Sequence, residues 1–243
     1  MFTLQGFARE PMDMRAGTDY AASWRSEGVS GAKTMTEAEW SNCTDPGKML
    51  RFIWPWATDR KLRLFQCAWC RRMPYPLPDP RSRMAVETGE RYVEGLVAEE
   101  ERQTAWEAAQ RVVEDAVAEQ QWEQAAGAAD ARRCIAIARD QIVRVRHPSS
   151  VWHSEQIRIL RELLGPLPFR SVLFSSSVLS WNDGTIRKLA EAIYEGLAFD
   201  RLPILADALE EAGCQDANIL GHCRSGNEHV RGCWVVDALL GKS

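Results

Sequence analysis

The chain has 243 residues, with 30 basic side chains against 34 acidic ones and a net charge of −4. That length buries a substantial core, as one large domain or two small ones, and the near balance of charge removes any overall pull toward nucleic acid or an anionic membrane. No apolar run approaches the roughly 18 residues that span a bilayer, no basic and then apolar leader opens the chain, and the seven scattered cysteines suit free or metal-binding thiols in a reducing compartment, so a cytoplasmic protein is expected.

Residues 1–34 read as a disordered tail: Gly17, Gly28 and Gly31 stand among scattered charges, with no sustained period and little to bury. Helical signals begin abruptly after Met35, where Thr36 and Glu39 stand in the capping-box relation. Met35 is therefore expected as the natural initiator in place of Met1. Asp45-Pro46 places a cap before a proline at the first helical position, and Met49, Leu50, Phe52 and Ile53 give an apolar face up to Pro55. A second helix is expected from Thr58 or Asp59 to about Met73, ended by the prolines of 74–78, and Asp79-Pro80 opens another that runs to Gly95.

Residues 98–140 are rich in Ala, Glu, Gln and Arg, and predict one long helix or two broken near Gly127, with Trp106, Val113, Val117 and Ala125 along the buried stripe. His147-Pro148-Ser149-Ser150 offers a cap for a helix from about Val151 to Leu164, and Gly165-Pro166-Leu167-Pro168 breaks it. The stretch from Phe169 to Trp181 is short of helix formers and predicts at most one short extended segment near 170–180. Asn182 or Asp183 is expected to cap the next helix, followed by others over about Asp200–Ala212, Asp216–Cys223 and Glu228–Leu240. The pattern predicts an all-α compact multi-helix bundle, with helical regions at 35–147 and 148–243 packed as one body.

Cys214, His222, Cys223, His229 and Cys233 crowd into the last 30 residues. Thiolate and imidazole are ligands that zinc selects, and Cys214, His222, His229 and Cys233 would satisfy a tetrahedral ion if they converge across the turn at 224–227. On the expected final helix His229 and Cys233 share a face, but Val236 and Leu240 extend that face, so plain packing is the rival account. Cys67-Ala68-Trp69-Cys70 sits late in a helix with no βαβ pattern before it, which favours packing over redox chemistry; the pair could instead join the C-terminal ligands.

Residues 58–83 carry seven basic and two acidic side chains, and residues 87–130 carry three basic and twelve acidic. Arg60, Lys61, Arg63, Arg71 and Arg72, with tryptophans nearby, could meet a phosphate backbone; packing against the acidic neighbour within the molecule is favoured because the two patches nearly offset each other. Phosphate loops, nucleophile elbows and His-Glu-x-x-His pairs are missing from the sequence. Asp200, Asp207, Glu210, Glu211 and Asp237 could join His222 or His229 in acid/base work, although carboxylates on amphipathic helices usually form a solvated face.

Thr36-Glu37-Ala38-Glu39-Trp40 through Asp45-Pro46, then Asp59 through Arg72, resemble the opening of a large paralogous family of uncharacterised planctomycete-type bacterial proteins. Phe199 through Leu209, His222-Cys223-Arg224 and His229 through Asp237 are similar to its ending, so the likeness covers residues 35–243. Family members carry a further cysteine where Trp69 stands here. The resemblance implies no reaction, and the expansion of the family suits interaction or regulatory modules better than a metabolic enzyme. Two functions follow. One is an all-helical module that binds a protein partner through tryptophan anchors, with or without structural zinc in its C-terminal hairpin; the other is a metal-dependent hydrolase or nucleic-acid-acting enzyme built on the His/Cys/Asp cluster.

Overall fold

The computed structural model describes residues 35–72, 77–136 and 150–242, with the backbone alone at Ser150 and Val151. The expected tail, the prolines at 74 and 76 and the cap at 147–149 lie outside the described residues. Within them the chain forms eleven α-helices and no strand. These are α1 (Glu37–Asn42), α2 (Pro46–Ile53), α3 (Asp59–Arg72), α4 (Pro80–Tyr92), α5 (Glu99–Ala118) and α6 (Trp122–Arg133). After them come α7 (Ser150–Leu164), α8 (Ser176–Gly196), α9 (Leu202–Glu211), α10 (Ala217–Cys223) and α11 (Trp234–Leu240). A 3₁₀ turn at Phe199–Arg201 leads into α9.

Several starts are those that the sequence marks. Thr36 and Glu39 close the capping box of α1. Asp45 caps α2 and Asp79 caps α4, each ahead of a proline, and Asp216 caps α10. In each case a carboxylate accepts from amides that the first turn leaves without partners.

Thr34–Ser243 is one compact unit with three apolar clusters. The first joins α1, α2, α3 and α7 through Trp40, Met49, Leu50, Phe65, Leu160 and Leu163. The second is built by α8 to α11, with Ile186, Leu205, Val235 and Val236 at its centre. Ala85, Ala109, Ala131 and Cys134 lead the third, which brings α3, α4, α5 and the end of α6 together. Each fully buried Leu or Ile contributes roughly 1.5–3 kcal/mol.

α3 feeds two of these clusters, and all of Lys61–Cys70 is buried. The basic residues considered for phosphate binding are engaged internally. Arg60 meets Asp237 and Glu94, Lys61 meets Asp237, Arg71 meets Glu90, and Arg72 meets Glu155 and Glu228. Arg63 donates to the Cys134 carbonyl at 2.7 Å and lies over the Tyr92 ring.

Four expectations need correction. The break in the 98–140 region falls at Gln120, which adopts φ 59°, and not at Gly127, which is buried within α6. The buried stripe of α5 is Arg102, Ala105, Ala109, Val112 and Ala116, one position off the expected one, because alanines let α5 and α6 approach closely and leave Val117 at 36 % exposure. Trp181 to Gly184 are non-helical and divide α8 into two helical runs, so the run carrying Ile186 begins close to where the sequence places it, but Asn182 and Asp183 are left-handed and do not cap it; Ser175 caps the earlier run. The last helix begins at Trp234 and not near Glu228, because Gly232 turns the chain at φ 92°. Tryptophans are also less available as anchors than their number suggests: Trp40, Trp69 and Trp234 are core, while Trp56 at 66 % and Trp122 at 51 % are exposed.

Candidate metal centre

Four side chains from three parts of the chain meet between α7 and the C-terminal hairpin. Glu162 comes from the last turn of α7 and His222 from the last turn of α10; His229 and Cys233 come from the connection between α10 and α11. Asp216 fixes the start of α10 by accepting from the Asn218 and Ile219 amides at 2.8 and 3.2 Å. Gly232 lets the connection pass against α3 and α7, since a Cβ there would stand 2.7 Å from Leu64 Cδ1 and 2.8 Å from Leu163 Cδ2. The donor of Cys233 is thereby aimed inward with no helix shared with His229.

His222 Nε2 lies 3.2 Å from Cys233 Sγ and 3.5 Å from Glu162 Oε2, and His229 Nδ1 lies 2.9 Å from Glu162 Oε1. One ligand atom from each of the four lies within 4.8 Å of all the others. Zinc arms of about 2.0–2.3 Å put tetrahedral ligand atoms roughly 3.3–3.8 Å apart, so the set is slightly looser than a loaded site but of the right size and chemistry. Glu162 and Cys233 are buried, and the imidazoles are 4 and 15 % exposed.

Without an ion these groups are held neutral or paired. Burial pushes the His222 imidazole down to about 4, against the attraction of Glu162, with His229 adding to the depression. Burial, reinforced by Glu162, pushes the Cys233 thiol well above its usual range. Trp234 Nε1–H donates to His222 Nδ1 at 3.1 Å. An indole nitrogen only donates, so this bond assigns the ring proton of neutral His222 to Nε2, the nitrogen that faces Cys233 and Glu162. A metal at Nε2 would need the ring proton on Nδ1 instead, where it would take the place of the hydrogen bond from Trp234.

Of the expected ligands, the structure brings together His222, His229 and Cys233. Cys214 is outside the group and packs against the C-terminal apolar cluster. Glu162 stands where a fourth ligand is needed; it was missed because one acid on an amphipathic helix, sixty positions upstream, carries no local spacing signal. Cys67 and Cys70 are apart from this centre in another cluster, where Cys70 Sγ lies 3.6 Å from Cys134 Sγ. Asp207 and Glu210 pair with Arg224 at the surface.

Asp237 anchors a second polar group. Its carboxylate accepts from Arg60 at 2.6 and 3.1 Å and from Lys61 at 2.6 Å, and Lys61 also donates to the Leu163 and Gly232 carbonyls, each at 2.8 Å. Burial pulls the Lys61 ammonium below the usual lysine range, with Asp237 opposing, but three acceptors around Nζ call for all three protons of the charged form. Tyr194 donates to Glu94, as does Lys242, and the Tyr194 ring lies beneath Arg231 and Lys242.

No helix among the described residues is long and apolar enough to cross a membrane. No family model, curated protein or solved structure matches this chain.

Proposed function

We propose that the protein is a cytoplasmic all-helical interaction module whose C-terminal hairpin is fastened to α7 by one structural zinc ion. The observation that carries the reading is the closed, buried quartet Glu162, His222, His229 and Cys233. Four protein donors fill a tetrahedral ion, which suits a structural site, whereas hydrolysis needs a position left for water. The free state of all seven cysteines supports a reducing compartment. Membership of the planctomycete-type paralogous family belongs to the same proposal, supported by motifs that fall on α1, α3 and the segment bearing His229 and Cys233.

The ion would hold neutral imidazoles, a carboxylate and a thiolate, and would couple metal binding to folding. Elemental analysis of full-length protein purified without chelators is expected to give about one zinc per chain, falling below a tenth of that in His229→Ala and Cys233→Ala. EDTA is expected to lower the melting temperature of the native chain and to leave both variants unmoved. A folded, zinc-free native protein that melts identically with and without EDTA removes the metal. The interaction role is tested on zinc-loaded protein by cross-linking in a lysate of its own source, where a discrete adduct that disappears on chelation is expected.

A further inference from the structure

A cleft of about 330 Å³ opens where the α2–α3 connection, the α7–α8 connection and α11 meet. That volume lies within the range of small-ligand sites, about 300–1,000 Å³. Its walls are largely apolar and include Ile53, Trp56, Leu167, Val172 and Trp234. Polar residues line it too: Lys61, Asp237 and Lys242, together with Thr58 and Ser171.

Counting protons separates these groups. Lys61 has all three N–H bonds engaged, and both Asp237 oxygens already accept. The Lys242 ammonium donates to Glu94, which leaves two of its three protons; its side chain is 34 % exposed. Counting charges points the same way. Lys61 and Lys242 line the cleft, with Arg60 and Arg231 behind them around Asp237 and Tyr194, and among the described residues the acids paired with these four cations are Glu94 and Asp237. Tyr194 supplies no compensating charge, since burial and Glu94 keep its phenol protonated. A surplus of positive charge in a partly desolvated site is costly until an anion meets it.

We propose that this cleft binds a small monocarboxylate with a flat or branched apolar body, the carboxylate accepting from Lys242 Nζ and the body resting on Trp56 and Val172. None of the four quartet side chains lines the cleft, but the wall residue Trp234 hydrogen-bonds to His222, so the two sites are neighbours joined through one indole. Charge sets the selectivity: the acid binds, while an amine of equal shape meets the same cations and is rejected.

Calorimetric titration of the full chain with phenylacetate, phenethylamine and 2-phenylethanol tests this. Saturable binding of phenylacetate is expected, at least about tenfold tighter than the alcohol, with no binding of the amine; a charge-assisted hydrogen bond supports that ratio. Lys242→Met is expected to weaken phenylacetate about tenfold or more. Trp56→Ala, at an exposed position that the fold does not need, is expected to weaken acid and alcohol alike. Absence of phenylacetate binding, equal binding of the amine, or affinities unchanged in both variants overturns the proposal.

Discussion

Asp237 shows how much one side chain can carry when it is 2 % exposed and accepts from two cations. Replacing it by Asn keeps its size and leaves Arg60 and Lys61 facing a neutral amide inside the protein. Urea unfolding of Asp237→Asn is expected to show a loss of about 3–5 kcal/mol, the usual cost of breaking a buried pair from one side. Glu94 gives the pH dependence. Burial would raise its carboxyl, but hydrogen bonds from Lys242 and Tyr194 and the charge of Arg60 hold it below the ordinary 4.5. A depressed acid binds fewer protons folded than unfolded, so its stabilisation is complete above pH 4.5 and fades as pH falls through the lower folded value. Glu94→Gln is expected to flatten this limb of the stability curve, read as a smaller shift in urea midpoint between pH 5 and pH 3 than in the native chain. At this scale the sequence was partly legible. His222, His229 and Cys233 stood out because soft ligands are rare and were crowded; Glu162 and Asp237 did not, because a carboxylate shows its value only through partners far away in the chain.

Helix starts were the most legible feature, since a cap is local chemistry: Thr36, Asp45, Asp79 and Asp216 each satisfy amides within three positions of themselves. Helix ends and breaks were less so. Gln is a good helix former, and nothing in its neighbours signals that Gln120 turns left-handed between α5 and α6. Gly127 looked like the break because glycine weakens a helix interior, yet it is buried where α6 packs. Gln120 is exposed and carries strain that glycine lacks. Gln120→Gly is therefore expected to stabilise the protein by up to about 1 kcal/mol, measured as a rise in urea midpoint at constant slope; destabilisation would mean that the left-handed residue contributes something besides a turn. The final helix was misjudged for a related reason. His229, Cys233, Val236 and Leu240 read as one helix face, but Gly232 at φ 92° divides them, and tight packing against Leu64 and Leu163 decides the point.

Across the whole molecule, the class of fold was readable from the density of caps, prolines and periodic apolar residues, while the placement of α3 was not. Its basic side chains were expected to pack against the acidic stretch that follows, and only the assembled structure shows Lys61, Arg63 and Gln66 buried within the core. Because α3 contributes to the first and third apolar clusters and its Arg60 and Lys61 reach α11 at the edge of the second, loss of one cluster exposes the polar groups of the others. Residues 35–242 are therefore expected to unfold in one step: thermal transitions followed by far-UV and near-UV circular dichroism should coincide, although a chain beyond about 150 residues often shows intermediates. Separate midpoints for the two signals would show that the clusters melt independently.

The stretch from His229 to Asp237 has a consequence for anyone who wants to edit this protein. Every second or third letter answers to a different neighbour: His229 to Glu162, Arg231 to Tyr194, Gly232 to Leu64 and Leu163, Cys233 and Trp234 to His222, and Asp237 to Arg60 and Lys61. Inserting a single amino acid after Gly232 would swing the following helix by about 100° and deliver each of the later groups to the wrong address. The nonapeptide is thus a cassette, transplantable together with its receiving surfaces and intolerant of insertion anywhere along its length.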